Sequence, residues 1–355
     1  MTTILTTTGI SLYLNTKKTL TAGAIPTDDQ MRQYLRQMPQ TASSEANSLL
    51  QIAKLDDSLV LLHTQTLNAI RCVNLLGDYF RDEGYKHTRL VPLEFQDDAK
   101  HIETTGLRNL LDTLIKEIGE AQKRKQDVVI NATAGFKAQV VYSTMIGMIY
   151  HVPVKYLYED FKSVVTFNPV ALDWDTSLFL TYTSFFRWIE DELRTQKQVE
   201  NYLKGYTDAE QIKTFLTSPD TDGYLYLSNM GNALYQKFLH EAEEAELTDW
   251  PPSVEIANVK DKISSSLLDS KHHPIKGILA ACYKIAELTF VQEIIGGFFE
   301  NTTNTRLKTN SEDGTLLLLW ADDNKAERLT ISTTARGKPQ TLKVAQKIKE
   351  VLEIE

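Results

Sequence analysis

The 355-residue chain has two cysteines, Cys72 and Cys282, in separate helix-like segments. So few exclude a disulfide framework or a cysteine-built metal site and leave two buried thiols. No uninterrupted apolar run reaches the ~20 residues that span a bilayer. The N-terminus, M-T-T-I-L-T-T-T-G, lacks the basic start and long apolar core of a secretory leader. A cytoplasmic, globular protein with no membrane partner is expected. Neither the G-x-x-x-x-G-K spacing of a Walker loop nor the G-x-G-x-x-G of a dinucleotide fold occurs, which disfavours a nicotinamide enzyme. Excess positive charge is missing too: the net charge of −9 argues against a protein coated in nucleic acid. Basic and acidic residues are nevertheless equal in number from Pro251 to Glu355, so the last part of the chain is free to hold a basic patch.

What is there begins with the stretch from Ile130 to Tyr142, I-N-A-T-A-G-F-K-A-Q-V-V-Y. An apolar run leads into small and hydroxyl residues, then Gly135, Phe136 and Lys137, then an apolar-periodic segment. This reads as a buried strand, a tight turn and a helix with a lysine at its N-terminus. Free backbone N–H groups, a hydroxyl and a positive charge at one point suit a phosphate. An ordinary strand-to-helix turn with a surface lysine fits the same residues. A second such turn follows the β-branched strand Thr3 to Thr7, where Thr8-Gly9-Ile10-Ser11 precede Leu12 to Asn15. Two glycine turns on one α/β sheet point to a ligand, because ligands collect outside the carboxyl ends of parallel strands.

The length suggests two or three domains. Over residues 1–175 strands alternate with helices: Thr27 to Met38 and the segment capped by Ser43 or Ser44 are helical, and Leu59 to His63 is a buried strand. Ala69 to Phe80 is an amphipathic helix, Arg89 to Leu93 a strand, Leu107 to Gln122 a helix, and Val154 to Tyr158 a further strand. The pattern predicts a Rossmann-like, doubly wound parallel sheet. Residues 176–250 turn helical, with a long stretch from Leu178 to Arg194, then a strand and turn around Tyr224 to Gly231 feeding a helix from Asn232 to Glu244. This order resembles a winged helix. Its glutamates, Glu241, Glu243, Glu244 and Glu246, favour a connecting or dimerising module over a DNA reader. Trp250-Pro251-Pro252 reads as a boundary. Beyond it, Val254 to Ile263 is strand-like, Pro274 to Glu300 reads as two helices, and antiparallel strands and a last helix complete a small α+β module over 251–355.

Four ordered stretches, T-T-T-G-I-S-L-Y-L-N, S-S-E-A-N-S-L-L, L-L-H-T-Q-T and N-A-T-A-G-F-K-A-Q followed by P-V-K-Y-L-Y-E-D-F, resemble the CRISPR-associated Rossmann-fold (CARF) domains of type III systems. The resemblance covers about the first half of the chain. It implies a homodimer that binds a cyclic oligoadenylate, most often the tetra-adenylate, on its twofold axis as an allosteric activator, with no other cofactor. The implied contacts are Thr8, Gly9, Ile10, Ser11, Asn15, Thr64, Thr133, Ala134, Gly135, Phe136 and Lys137. His63 and Thr64 end a strand and either touch a base or ribose or serve as a cap. Ala134 stands where relatives usually carry glycine and Ile10 where they carry threonine, which leaves binding implied and ring cleavage open.

CARF proteins commonly carry a ribonuclease as effector. No histidine follows His273, and none of His240, His272 and His273 has the arginine spacing of a HEPN ribonuclease. Asp322 and Asp323 sit in a turn, unlike the acidic residues of a restriction-type metal site, and no PIN-type acidic set assembles. Cations on or beside strands are present instead: Arg306, Lys308, Arg328, Arg336 and Lys338. RNA can be cut by its own 2′-OH, with Arg and Lys stabilising the pentavalent phosphate. The module resembles the RelE messenger-RNA interferases, which implies metal-free cleavage of messenger RNA with the ribosome as partner. Arg336 is the first candidate for transition-state stabilisation, Lys308 and Arg306 the next, and Arg328 and Lys338 candidates for backbone contacts; each also fits a solvated surface cation. Two rival readings stay open: a ligand-responsive transcription regulator using the winged-helix-like segment, and a ring nuclease acting on cyclic oligoadenylate.

Overall fold

A computed structural model describes residues 1–94, 106–135, 137–158, 163–170, 174–255, 258–269, 275–309 and 313–354. It divides into two compact units, Met1–Trp174 and Asp175–Glu355. No helix among the described residues is long and apolar enough to cross a membrane.

In the first unit the elements run β1 (Thr2–Thr8), α1 (Ser11–Thr19), α2 (Asp28–Gln37), α3 (Ser44–Ile52), β2 (Ser58–Thr64), α4 (Leu67–Asp82) and β3 (His87–Leu93). They continue with α5 (Leu107–Lys123), β4 (Asp127–Asn131), α6 (Lys137–Ile149), β5 (Val154–Tyr156) and β6 (Val165–Phe167). The sheet order is β3-β2-β1-β4-β5-β6, parallel except for β6. This is a Rossmann-like sheet, and its central strands β2, β1 and β4 are largely buried on both faces, as in a doubly covered sheet. Ile4, Leu59 and Leu61 pack under α1 to α4 with Met31, Leu35, Leu49 and Phe80. Leu5, Val60 and Ile130 are equally buried, and α5 contacts β1, β3 and β4. Thr27 closes α2 with a capping box to Gln30, and the hydroxyl of Ser43 caps α3. The chain leaves β1 for β2 on one side and returns to β4 on the other, so a crevice opens at the carboxyl ends of β1 and β4.

The second unit starts with α7 (Ser177–Thr181), α8 (Thr183–Asp191), β7 (Arg194–Thr195), α9 (Gln196–Tyr202), α10 (Ala209–Lys213), β8 (Tyr224–Leu225) and α11 (Asn229–Leu247). The expected long helix from Leu178 is therefore two, and the later helix begins at Asn229, capped by Ser228. β7 pairs antiparallel with β8, and Leu216 bridges Leu227. Phe179, Phe186, Phe215, Tyr235 and Phe238 form one aromatic core, with Phe179 and Phe186 at 4.5 Å between centroids.

The unit continues with α12 (Ile278–Ala286), β9 (Val291–Glu300), β10 (Arg306–Thr309), β11 (Thr315–Ala321), β12 (Ala326–Thr333) and α13 (Gly337–Leu352). The sheet order is β10-β11-β12-β9, antiparallel throughout. Two expectations are corrected here. Val254 to Ile263 is not a strand, since its described part holds a 3₁₀ turn at Val259–Lys262 and a single bridge from Ile263 to Ile294. Within Pro274 to Glu300 the second expected helix is strand β9. Residues 175–250 and 251–355 also fold into one compact unit. Trp250 stacks on Phe290 at 5.7 Å and lies under the ammonium of Lys343, so the tryptophan rests against the unit with half its surface exposed. Burial pushes the thiols of Cys72 and Cys282 up to about 12, which keeps them protonated and inert.

Candidate functional site

The two glycine turns meet at the β1–β4 crevice. A Cβ built on Gly9 would lie 3.6 Å from the backbone nitrogen of Gly135, so the turns abut backbone to backbone. Thr7 donates its hydroxyl to the carbonyl of Ala134 at 2.5 Å, tying the second turn to the first strand. Gly135 has φ +109°, and a Cβ there would stand 2.0 Å from Oε1 of buried Gln139, so only glycine fits. Behind the turn, Asn131 donates to Ser48 at 2.9 Å, Thr133 donates to Asn131 at 2.6 Å, and the Leu157 amide donates to Thr133 at 3.0 Å. Lys137 is exposed at the first position of α6. Phe136 lies outside the described residues.

The first turn is not the open cradle of amides that the sequence suggested. The buried carboxyl of Glu45 accepts from the Gly9 amide at 2.7 Å, the Ser11 hydroxyl at 2.5 Å and the Ser43 hydroxyl at 2.6 Å. It lies where the start of α1 would otherwise face an anion, and it is itself in the first turn of α3. The Ser11 hydroxyl also accepts from the Ser44 amide. Asn15 donates its amide to the carbonyls of Thr41 and Ala42 at 3.2 and 3.3 Å, and Thr8 donates its hydroxyl to Leu62. The polar groups of Thr8, Gly9, Ser11 and Asn15 named here thus hold the fold. His63 Nδ1 lies 2.9 Å from the carbonyl of Thr64, which favours the capping role for that nitrogen. Ile10, Thr64, Gly135 and Lys137 keep surface at the crevice, while Ala134 and most of the Thr133 network lie behind it. Sequence reasoning did not assign Glu45 its role, because 36 residues separate it from Gly9.

The five cations of the second unit do not form one constellation. Arg306 and Lys308 share one face of β10, as alternate residues must. The Lys308 ammonium lies 2.8 Å from Asp208, which also accepts from the Tyr182 hydroxyl at 2.6 Å. Burial opposes ionisation of Asp208, but those two hydrogen bonds and the nearby cations outweigh it and hold its carboxyl below the usual range. Burial, reinforced by Asp208, pushes the Tyr182 phenol up. Arg328 forms an ion pair with Glu300, and Lys338 pairs with Glu241 at 3.2 Å. Arg336 is exposed at the N-cap of α13 and lines a shallow depression of about 490 Å³ with Gln292, Thr333 and Thr334. Arg328 and Thr333 are five residues apart on one strand, about 16 Å, and Arg336 lies beyond. Arg336 and Arg328 therefore belong to opposite ends of β12. Asp208 and Tyr182 went unnoticed because Lys308, which pairs with Asp208, is a hundred residues downstream of it, and Tyr182 joins through Asp208 from 26 residues upstream.

Residues 40–170 match the family described as CRISPR-associated protein (Cas_APE2256). The match supports a CRISPR-associated protein. It spans Glu45, β4 and the Gly135 turn and leaves out β1. The chain is also similar to the crystal structure of protein VC1899 from Vibrio cholerae, at 8% identity and a TM-score of 0.30, covering 94% of this chain and 77% of that one. A likeness of that size carries no argument about fold or function.

Proposed function

We propose that the protein is a ribonuclease of type III CRISPR defence, switched on by a cyclic oligoadenylate. The observation that carries this is the abutment of the Gly9 and Gly135 turns at the β1–β4 crevice, with Lys137 exposed at its rim. A twofold dimer would present two such crevices to a ring of repeating phosphates. Leu67, Ile70 and Val141 are exposed on α4 and α6, the helices that start at this edge of the sheet, and supply apolar surface for a second copy. Binding acts on the second unit through the ligand's preference for the active arrangement.

The cutting unit reads as RelE-like: helix, four antiparallel strands, helix, with cations and no histidine on the strands. The RNA 2′-oxygen attacks phosphorus, the 5′-oxygen leaves, and a cation stabilises the pentavalent charge. Among the described residues no carboxylate pairs with Arg336, which keeps it the first choice for that role; Lys308 would first have to leave Asp208. The order α8-β7-α9-α10-β8 is winged-helix-like, yet on α10 Lys213 is neutralised by Glu210 at 2.7 Å, which counts against a DNA reader. Purified protein mixed with cyclic tetra-adenylate, translating ribosomes and messenger RNA tests the reading. Cleavage is expected with activator and absent without it, and lost in Arg336→Ala; intact messenger RNA with every cyclic oligoadenylate would sink the proposal.

A further inference from the structure

Arg306 opens β10 with 4% of its surface exposed, and its Nε and Nη1 atoms are shielded from solvent without a hydrogen-bond partner. Those nitrogens carry three of the five N–H bonds of a guanidinium. The carboxylate that feels Arg306, Asp208, is hydrogen-bonded to Lys308 and Tyr182 instead, and no described residue forms an ion pair with Arg306. A buried cation in this state is strongly unfavourable unless an anion completes it. The side chain lines a cavity of about 200 Å³ together with Tyr182, Phe185, Tyr202, Tyr206 and Asn304. Tyr182 and Tyr206 are 5.2 Å apart between centroids, and Phe185 and Tyr202 5.3 Å, so the walls are flat rings on one side. Asn304 is fixed by donating to the carbonyl of Gly205 at 3.1 Å.

A fixed guanidinium beside flat aromatic walls selects an anion joined to a ring. Arg recognises phosphate through several N–H bonds at once, and bases stack on tyrosine whatever their identity. We propose that this cavity binds a single phosphorylated nucleotide, its phosphate on Arg306 and its base against Tyr202 and Tyr206. The volume lies below the ~300 Å³ at which pockets for larger ligands begin, so the cavity takes no more than one nucleotide, with part of it at the mouth. A free mononucleotide and the phosphorylated end of an RNA strand share this chemistry. The site is separate from the cyclic-ligand crevice and from Arg336, and it does not depend on ribonuclease activity.

The test is thermal denaturation and calorimetry of the full chain with adenosine, inorganic phosphate, AMP and an RNA trinucleotide with or without a 5′-phosphate. AMP is expected to raise the melting temperature and bind at least tenfold more tightly than adenosine. If the phosphorylated trinucleotide outcompetes AMP, an RNA end is the occupant; if it does not, a free nucleotide is. Arg306→Met is expected to abolish the AMP response while leaving the ligand-free melting temperature level or higher, because it removes an unpaired buried charge. Tyr206→Leu is expected to weaken AMP but not inorganic phosphate. The proposal is overturned if no phosphate compound shifts the wild type, if Arg306→Met still responds, or if that variant melts lower without ligand. Ile354 also lines the cavity, so Glu355→Ala is the control: binding by that variant alone would mean that the Glu355 side-chain carboxylate fills the site, and the proposal falls.

Discussion

At the β1–β4 crevice the buried carboxyl of Glu45 takes three hydrogen bonds, whereas in the second unit the buried guanidinium of Arg306 leaves two nitrogens unpaired. The first arrangement is finished by the chain itself. It stiffens two glycine turns and leaves recognition to what protrudes, Lys137 and the exposed backbone of Gly135. The second is incomplete, and its unpaired charge calls for a molecule from outside. A closed polar network tells more about rigidity than about ligands, and an open one the reverse.

The comparison breaks most readily at Glu45. Glu45→Ala leaves one amide and two hydroxyls near α1 and α3 without their acceptor, and a loss of about 3 kcal/mol or more from the first unit is expected. Urea denaturation followed by circular dichroism measures it, with Glu45→Gln losing less because one carbonyl remains. A loss under about 1 kcal/mol would mean that water replaces the carboxyl and that the crevice is open after all.

Gly135→Ala comes next. The residue holds φ +109° and a Cβ would meet Gln139 Oε1 at 2.0 Å, so the turn must shift, at about 1–3 kcal/mol. Affinity for cyclic tetra-adenylate is expected to fall further than stability, because the shift moves the amides at the head of α6. Gly135→Ala combined with Gln139→Ala separates the two causes: recovery of stability without recovery of binding assigns the clash to folding and the backbone to the ligand.

In the second unit the corresponding change is Asp208→Asn. The folded carboxyl lies below the ordinary 3.8 of an aspartate, so the folded state binds its proton less readily than the unfolded chain does. Its contribution is therefore present above about pH 4 and lost as pH falls through the lower folded value. The variant should melt lower than wild type at pH 7 and converge on it in acid. Parallel curves across that window would show that the Asp208–Lys308 pair adds nothing.

Much of the first unit was legible because its central strands are buried on both faces. Runs such as Leu59 to Leu62 leave little besides a parallel strand, and glycine after a strand marks where the sheet changes direction. The misreading of β9 has an equally physical cause. Val291, Ile294, Ile295, Phe298 and Phe299 fall at helical spacing, yet the segment is an edge strand in which Ile295, Phe298 and Phe299 are exposed. Its apolar residues do not alternate as a strand covered on one face should, because its pairing with β12 carries two irregularities in register. Asp208 with Lys308, and Glu45 with Gly9, are contacts between elements far apart in sequence, and nothing local in the chain announces them. The cations were legible as residue types, but their grouping depends on strand register, which separated Arg336 from Arg306.

The smallest effect on stability, and the finest probe of the crevice, belongs to Lys137→Ala. The side chain is exposed and lies at the start of α6, where a positive charge gains nothing from the helix dipole. Removing it should change unfolding by no more than about 0.5 kcal/mol. If the crevice holds the phosphates of a cyclic oligoadenylate, the same change should weaken binding about tenfold per site, or about 1.4 kcal/mol. The difference from wild type should shrink as salt rises, because an exposed pair is screened over about 10 Å at 0.1 M. Loss of affinity with unchanged folding would mark Lys137 as a residue kept for the ligand, the counterpart of Glu45, which is kept for the fold. Unchanged affinity at low salt would leave the abutting turns as architecture alone and remove the ligand assignment from the crevice.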